Sequence, residues 1–435
     1  MPNARAIALK ILIKIEQENA YSNLELLYCD AIKALDRRDT AFVSRLVYGV
    51  LERKITLDHR IQQHCSRKLK SLSPAVLQIL RMAVYQIFYM DRVPDSAAVN
   101  EAVNLTKKNC RSASGFVNGV LRSVLRASKE LDFSPQTNPI DRLSVTYSVH
   151  PAFAKMLVDA YGTDMAVSFL ESSFEQPPVH LRVNNTKTSV QELSELLVQK
   201  EIETNRHPLL ENCIQISNAY DLTRDVLFEK GLFHIQDCAS QYCCLALDPK
   251  PHERILDVCA APGGKTFTIA ERMENLGEVV SCDIHSHRVA LIQSGADRLG
   301  LSCVRPTLRD ACDPDLSIGE FDRVLCDVPC SGFGVIRRKP EIRYRDPDEF
   351  RDLIRLQETI LEVSSSFVKP GGILVYSTCT LNPKENMHQV DAFLKRHCDF
   401  TAIPVFEHAQ DTSKTFFTHI DQTDGFFVAK LIRKK

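Results

Sequence analysis

Asp257-Val258-Cys259-Ala260-Ala261-Pro262-Gly263-Gly264-Lys265-Thr266 closes an apolar, strand-like run that begins at Arg254, and it leads into a helical stretch. Glycine has no Cβ, so Gly263-Gly264 lets the backbone come close to a ligand. Asp283 ends the next apolar run, 19 residues after Gly264. An acid at that distance accepts both ribose hydroxyls of an adenosine-containing cofactor. Further runs at residues 304–308, 321–326 and 372–377 alternate with helical stretches. That alternation predicts a parallel, doubly wound sheet with ligands at the carboxyl ends of its strands. The loops that begin at Cys259, Asp283, Asp310, Asp327 and Cys379 lie there.

Gly264-Lys265-Thr266 also matches the tail of a phosphate-binding P-loop. The first glycine of that pattern falls on Cys259, however, and Pro262 removes an N–H that should cradle phosphate. Gly-x-Gly-x-x-Gly, the mark of a dinucleotide site, is absent. Two later strands end in cysteine-bearing loops, Asp327-Val328-Pro329-Cys330-Ser331-Gly332 and Ser377-Thr378-Cys379-Thr380. Two thiols aimed at the reactive end of one cofactor suggest covalent chemistry, because a thiol is already partly thiolate near neutrality.

At 435 residues two or three domains are expected. Fifteen cysteines without a Cys-x-x-Cys exclude a disulfide framework and a structural zinc site, and no metal is expected. No apolar run reaches the ~18 residues of a membrane span, and Met1 to Ala20 reads as an amphipathic helix on Ile7, Ile11 and Ile15 rather than a signal peptide. A reducing cytoplasm is the expected location, and a monomer the expected state. The net charge of −1 hides an asymmetry: residues 1–135 hold 21 Lys+Arg against 13 Asp+Glu. Such a surplus is an electrostatic footprint for RNA.

Residues 1–135 are helical in pattern and predict an all-α domain, with Ser73-Pro74 as a helix start. Residues 136–175 read as a polar linker and a helical connector, which Gln176-Pro177-Pro178 breaks. Residues 176–240 alternate strand and helix as a small α/β subdomain, and residues 241–435 form the cofactor-binding sheet. The basic run Arg337-Arg338-Lys339 with Arg343, directly after Cys330, suits the phosphates around a target base.

The segment 257–266 and the two cysteine loops together resemble the RNA cytosine-C5 methyltransferases that use S-adenosylmethionine (SAM). Val47-Tyr48-Gly49-Val50-Leu51, Leu80-Arg81-Met82-Ala83-Val84-Tyr85-Gln86, Val93-Pro94 and Phe116-Val117-Asn118-Gly119-Val120-Leu121-Arg122 resemble the NusB family, a helical RNA-binding module. The resemblance implies an all-α NusB-like front, an RNA-recognition-like subdomain and a Rossmann-like methyltransferase domain. It also implies a cofactor site. Cys259, Ala260, Ala261, Pro262, Gly263, Gly264 and Lys265 would contact the methionine part of SAM, Asp283 the ribose and Asp310 the adenine amino group. Asp327 would lie between the sulfonium and the base.

Cys379 resembles the nucleophile and Cys330 the thiol that assists release. DNA cytosine-C5 enzymes place their nucleophile in a Pro-Cys motif, which makes Cys330 the rival assignment. The domain order resembles members that modify a cytidine of bacterial 16S small-subunit rRNA, so ribosomal RNA is the expected partner. The alternatives are a methyltransferase acting on tRNA and a non-catalytic RNA-binding or antitermination factor. Val328 stands where the family has alanine, and Tyr344 where tryptophan is common.

Overall fold

The computed structural model describes all residues except 1–2, 19–21, 23–24, 27–28, 128, 218–221 and 408. The chain forms two compact units, Met1–Glu175 with Ile336–Pro347, and Gln176–Val335 with Asp348–Lys435.

The first unit is helical among its described residues. Its centre is the helix Pro74–Tyr89, which Ser73 caps by accepting the Val76 N–H at 3.4 Å. This helix is apolar on nearly every side and is therefore surrounded by the helices Ala4–Glu18, Arg37–Glu52, Lys54–Gln63, Asp95–Asn109 and Ser114–Arg126. Arg81 sits inside this bundle, where Asp58 and Glu16 take its guanidinium hydrogen bonds at 2.7–2.9 Å. The connector is three helices, Pro139–Tyr147, Pro151–Tyr161 and Thr163–Ser172. Ser148 in a left-handed conformation and Pro151 end the first and start the second, and Gly162 separates the second from the third.

Within the segment Ile336–Pro347 the expectation for the basic run is corrected at Arg337 and Arg343, whereas Arg338 is half-buried and Lys339 exposed. Arg343 is fully buried in the helical unit, donating to the Tyr147 carbonyl at 3.2 Å and to the Ser173 carbonyl and hydroxyl at 2.8 and 2.7 Å. Its guanidinium lies 4.5 Å from the Phe174 ring centroid. The Tyr344 hydroxyl donates to the Leu51 carbonyl and accepts the Lys54 N–H. Arg337 is only 6% exposed. A guanidinium surrounded by carbonyls and an aromatic face is stable away from water, so a basic sequence does not guarantee a basic surface. Arg343 and Tyr344 hold the segment in place and do not face solvent phosphate.

The second unit carries two sheets. In the smaller, β1 (Val179–Val183), β2 (Thr204–Arg206), β3 (Cys213–Ile216) and β4 (Phe233–Ile235) run in the order β2-β3-β1-β4, all antiparallel. Its helix Val190–Val198 begins with a capping box between Ser189 and Glu192. The edge strand β2 is too polar to show a strand pattern.

The larger sheet comprises β5 (Arg254–Asp257), β6 (Glu278–Asp283), β7 (Val304–Leu308), β8 (Phe321–Asp327), β9 (Val368–Thr378), β10 (Phe400–Ala402), β11 (Ser413–Phe416) and β12 (Phe426–Arg433). Strands β7-β6-β5-β8-β9 are parallel, as expected. The sheet as a whole is mixed, because β12 runs antiparallel to β9, and β10 and β11 antiparallel to β12. Alternate residues feed separate cores on the two faces: Ile255, Leu325 and Val375 on one, Leu256, Val324 and Leu374 on the other. The strand order reverses between β5 and β8, which places the Cys259 and Asp327 loops at the switch point.

Candidate active site

The loop after β5 turns tightly, with the Gly263 N–H donating to the Ala260 carbonyl at 2.8 Å. Gly263 has φ +110°, and a Cβ there would fall 2.3 Å from the Phe267 ring. Glycine is therefore required at this position, where the helix Gly264–Arg272 starts. Lys265 and Thr266, which a P-loop would direct to phosphate and magnesium, are committed elsewhere. The Lys265 ammonium donates to Asp327 Oδ2 at 2.7 Å, while the buried Thr266 hydroxyl donates to Asp257 at 2.7 Å and lies 3.1 Å from Ser281 Oγ.

Burial alone would lower the Lys265 pKa, but the charge and hydrogen bond of Asp327 outweigh it and hold the ammonium above its ordinary value. Asp257 is pushed up to about 7 by burial, against the Thr266 hydrogen bond.

Asp283 ends β6 and is 4% exposed; its carboxylate accepts the His285 N–H at 3.0 Å and faces Arg288 at 3.0 Å. Arg288 also donates to the Ala261 carbonyl at 2.8 Å, tying the first loop to the second. Ile284, next in sequence, is 55% exposed and offers an apolar surface beside that acid. Asp310, beyond β7, is exposed and accepts the Cys312 N–H at 2.9 Å. Ala260 and Ala261 lie at the mouth of the same loop, and Cys259 is half-buried with its thiol raised by burial.

These groups suit an adenosine cofactor. The tight glycine turn, the ribose-spaced acid and the apolar residue after it stand at adjacent strand ends.

The reacting end is built from β8 and β9. Asp327 Oδ1 accepts the Ser377 hydroxyl at 2.7 Å, so this carboxylate is fixed from two sides by Lys265 and Ser377. Cys330 Sγ and Cys379 Sγ are 3.2 Å apart, although 49 residues separate them in sequence. The hydrogen bond to Cys379, with burial behind it, pushes the Cys330 thiol well above its ordinary value.

The loop geometry depends on a close backbone approach. The Gly334 N–H donates to the Cys379 carbonyl at 3.0 Å and the Gly425 N–H to the Gly334 carbonyl at 2.9 Å. A Cβ on Gly334 would lie 1.9 Å from the Gly425 carbonyl oxygen.

Sequence reasoning missed the group that binds the two cysteine loops together. Glu385 is fully buried, and its carboxylate accepts the Ser331 N–H at 2.9 Å, the Ser331 hydroxyl at 2.6 Å, and the Gln357 and Asn382 amides at 2.9 Å each. The Asn386 amide donates to the Thr380 carbonyl at 2.9 Å. The polar cluster Asn382-Pro383-Lys384-Glu385-Asn386 right after an active-site loop was the available signal. Among the described residues, no group of His, Cys, Asp or Glu could hold a metal, and no helix is long and apolar enough to cross a membrane.

A helical front and a Rossmann-like sheet with its site at the switch point define the methyltransferase class. Residues 244–432 match the family of 16S rRNA methyltransferases RsmB/F, residues 150–223 its ferredoxin-like domain, and residues 2–126 the NusB family. A Bacillus subtilis protein named "Probable ribosomal RNA small subunit methyltransferase B" is 38% identical, with 99% of each chain covered. Ribosomal RNA small subunit methyltransferase B of Yersinia pseudotuberculosis is 32% identical, again with 99% of each covered. The crystal structure of PH0851 matches with a TM-score of 0.82 at 25% identity, over 100% of this chain and 99% of that one. The chain belongs to the ribosomal RNA small subunit methyltransferase B family of rRNA methyltransferases.

Proposed function

We propose that this chain methylates carbon 5 of a cytidine in 16S rRNA, with SAM as methyl donor and through a covalent bond between Cys379 and the base. The observation that carries the reading is the pair of thiols, 3.2 Å apart, from the ends of two adjacent strands at the switch point.

SAM supplies an electrophilic methyl group on a sulfonium. Asp283 accepts the ribose hydroxyls, Asp310 the adenine amino group, and the loop Cys259 to Lys265 surrounds the methionine part. Carbon 5 of cytosine is too weak a nucleophile to take the methyl group unaided. The Cys379 thiolate therefore adds to carbon 6, and the electron pair of the 5,6 double bond becomes available at carbon 5. After methyl transfer a solvent water takes the carbon 5 proton, the electrons of that C–H bond re-form the double bond, and the Sγ–carbon 6 bond breaks to return the thiolate.

Cys330 assists that release. Its thiol keeps its proton near neutrality and donates a hydrogen bond to the Cys379 sulfur as that thiolate leaves the base. Asp327, held by Lys265 and Ser377, accepts a hydrogen bond from the amino edge of the base and balances charge that develops on the ring. The base must be unpaired or flipped so that a sulfur can approach its face. The reaction belongs in the cytoplasm, where ribosomal RNA is assembled.

Incubation with SAM carrying a tritiated methyl group and unmodified total RNA tests the proposal. Label at carbon 5 of a small-subunit rRNA cytidine is the expected result. Label confined to tRNA overturns the substrate assignment, and label on another atom overturns the chemistry.

A further inference from the structure

The second unit holds a cavity of about 420 Å³ outside the catalytic groups, between the small sheet and the edge of the large one. Tyr242 and Phe416 stack at 5.2 Å and 23°, and Phe406 meets both edge-on at 6.0 and 6.4 Å. Arg206 and Lys414 bring two cations to the same wall, with Lys414 held by Asp421 at 2.7 Å and 5.2 Å from the Phe416 ring centroid. His180, 3% exposed, also lines it; its Nδ1 faces Asp237 at 3.8 Å and makes no hydrogen bond among the described residues.

Apolar side chains stand unusually open at the rim, Leu209 at 72% and Ile420 at 57% exposure. Tyr242 and Phe406 are half-exposed, while Phe416, 2% exposed, backs them from the core; two open aromatic rings with flanking cations suit one unstacked base and its phosphate.

The cavity is joined to the thiols by backbone. Asp421 and Gln422 lie on its wall, and the chain continues through Asp424, whose N–H donates to Asp237 at 3.4 Å. Gly425 then donates to Gly334, and Gly334 to the Cys379 carbonyl. The cavity wall and the Cys379 loop are thus parts of one hydrogen-bonded backbone network within the same unit.

We infer that the Tyr242–Phe406–Phe416 cavity is a second base-binding site, which takes an unpaired nucleotide of the RNA substrate flanking the target cytidine. The inference rests on the reading of the chain as an RNA methyltransferase. It gives a use to the half-exposed rings of Tyr242 and Phe406, which no catalytic step requires. The RNA-recognition-like subdomain thereby contributes Arg206 from its edge strand β2 and His180 from the inner strand β1.

The test uses the full-length protein and in-vitro-transcribed small-subunit rRNA containing 4-thiouridine, irradiated in the near ultraviolet and mapped by peptide mass spectrometry. Crosslinks to peptides carrying residue 242, 406 or 416 are expected. In parallel, Phe406→Ala and Arg206→Ala should each weaken rRNA binding roughly ten-fold, while Phe406→Tyr restores it and SAM affinity stays at the parental value.

Crosslinks confined to other surfaces, with rRNA affinity unchanged in both variants while the parent methylates rRNA, overturn the cavity assignment and leave the proposed function standing. A parent that crosslinks through the cavity yet methylates no RNA supports the cavity and overturns the proposed function.

Discussion

Cys330 Sγ lies 3.2 Å from Cys379 Sγ, inside the contact distance of two sulfur atoms, so one thiol donates to the other. The contact with Cys379, with burial behind it, pushes the Cys330 thiol well above its ordinary value, which favours the protonated form there. On the proposed reading, covalent attack and later release fall to the loops that follow β9 and β8, whose spacing depends on the hydrogen bonds that Glu385 makes.

Glu385→Gln should damage that spacing. The amide nitrogen of glutamine meets donors that a carboxylate satisfied, and a buried polar group left unpaired costs about 1–3 kcal/mol. Urea unfolding followed in the second unit should show a loss of that order, together with a lower kcat at unchanged SAM affinity.

If Asp283 accepts the ribose as proposed, Asp283→Ala should weaken SAM binding by ten-fold or more in titration calorimetry, because hydrogen bonds to a charged acceptor are lost. It also leaves Arg288 without its carboxylate partner. Arg288→Ala is the informative companion, and a smaller effect is expected because Arg288 holds the Asp283 carboxylate and the Ala261 carbonyl.

Asp257 predicts a pH dependence. An unfolded carboxyl titrates near 3.8 and the folded one at about 7, so the folded chain binds the extra proton between those values. Its contribution to stability is fully present below pH 3.8 and is lost as the pH rises towards 7, by a few kcal/mol at most (~1.4 per unit). Asp257→Asn should flatten the stability profile between pH 4 and 7. An unchanged slope would contradict the assignment.

Arg343→Ala should destabilise the helical unit by about 3 kcal/mol, because the Tyr147 and Ser173 carbonyls lose their donor and the Phe174 face its cation. The salt dependence of rRNA binding should be the same in parent and variant, since a buried guanidinium releases no counterions. A shallower salt slope would restore this residue to the phosphate-binding surface.

The parallel strands, the glycine turn and both cysteine loops were legible because each is local: an apolar run, then the residue types that a ligand or reaction needs. Three features were not. The strand β12 lies antiparallel in the sheet because Phe427 to Ile432 pair with β9 from far along the chain, and sequence period does not reveal direction. Glu385 looks like a surface acid until Ser331, Gln357 and Asn382 converge on it. Arg337 and Arg343 look solvated because a charge run gives no hint of carbonyls brought from residues 147 and 173.

The most direct measurement is denaturing electrophoresis of the protein with unmodified rRNA and SAM, comparing the parent, Cys330→Ala and Cys379→Ala. Cys330→Ala should attack and methylate yet stall before release, so a covalent protein–RNA band accumulates. Cys379→Ala should give no band and no methyl transfer. A band that persists in Cys379→Ala and vanishes in Cys330→Ala would contradict the assignment of the two thiols, and no band in any sample, including the parent with 5-fluorocytidine RNA, would contradict the covalent mechanism.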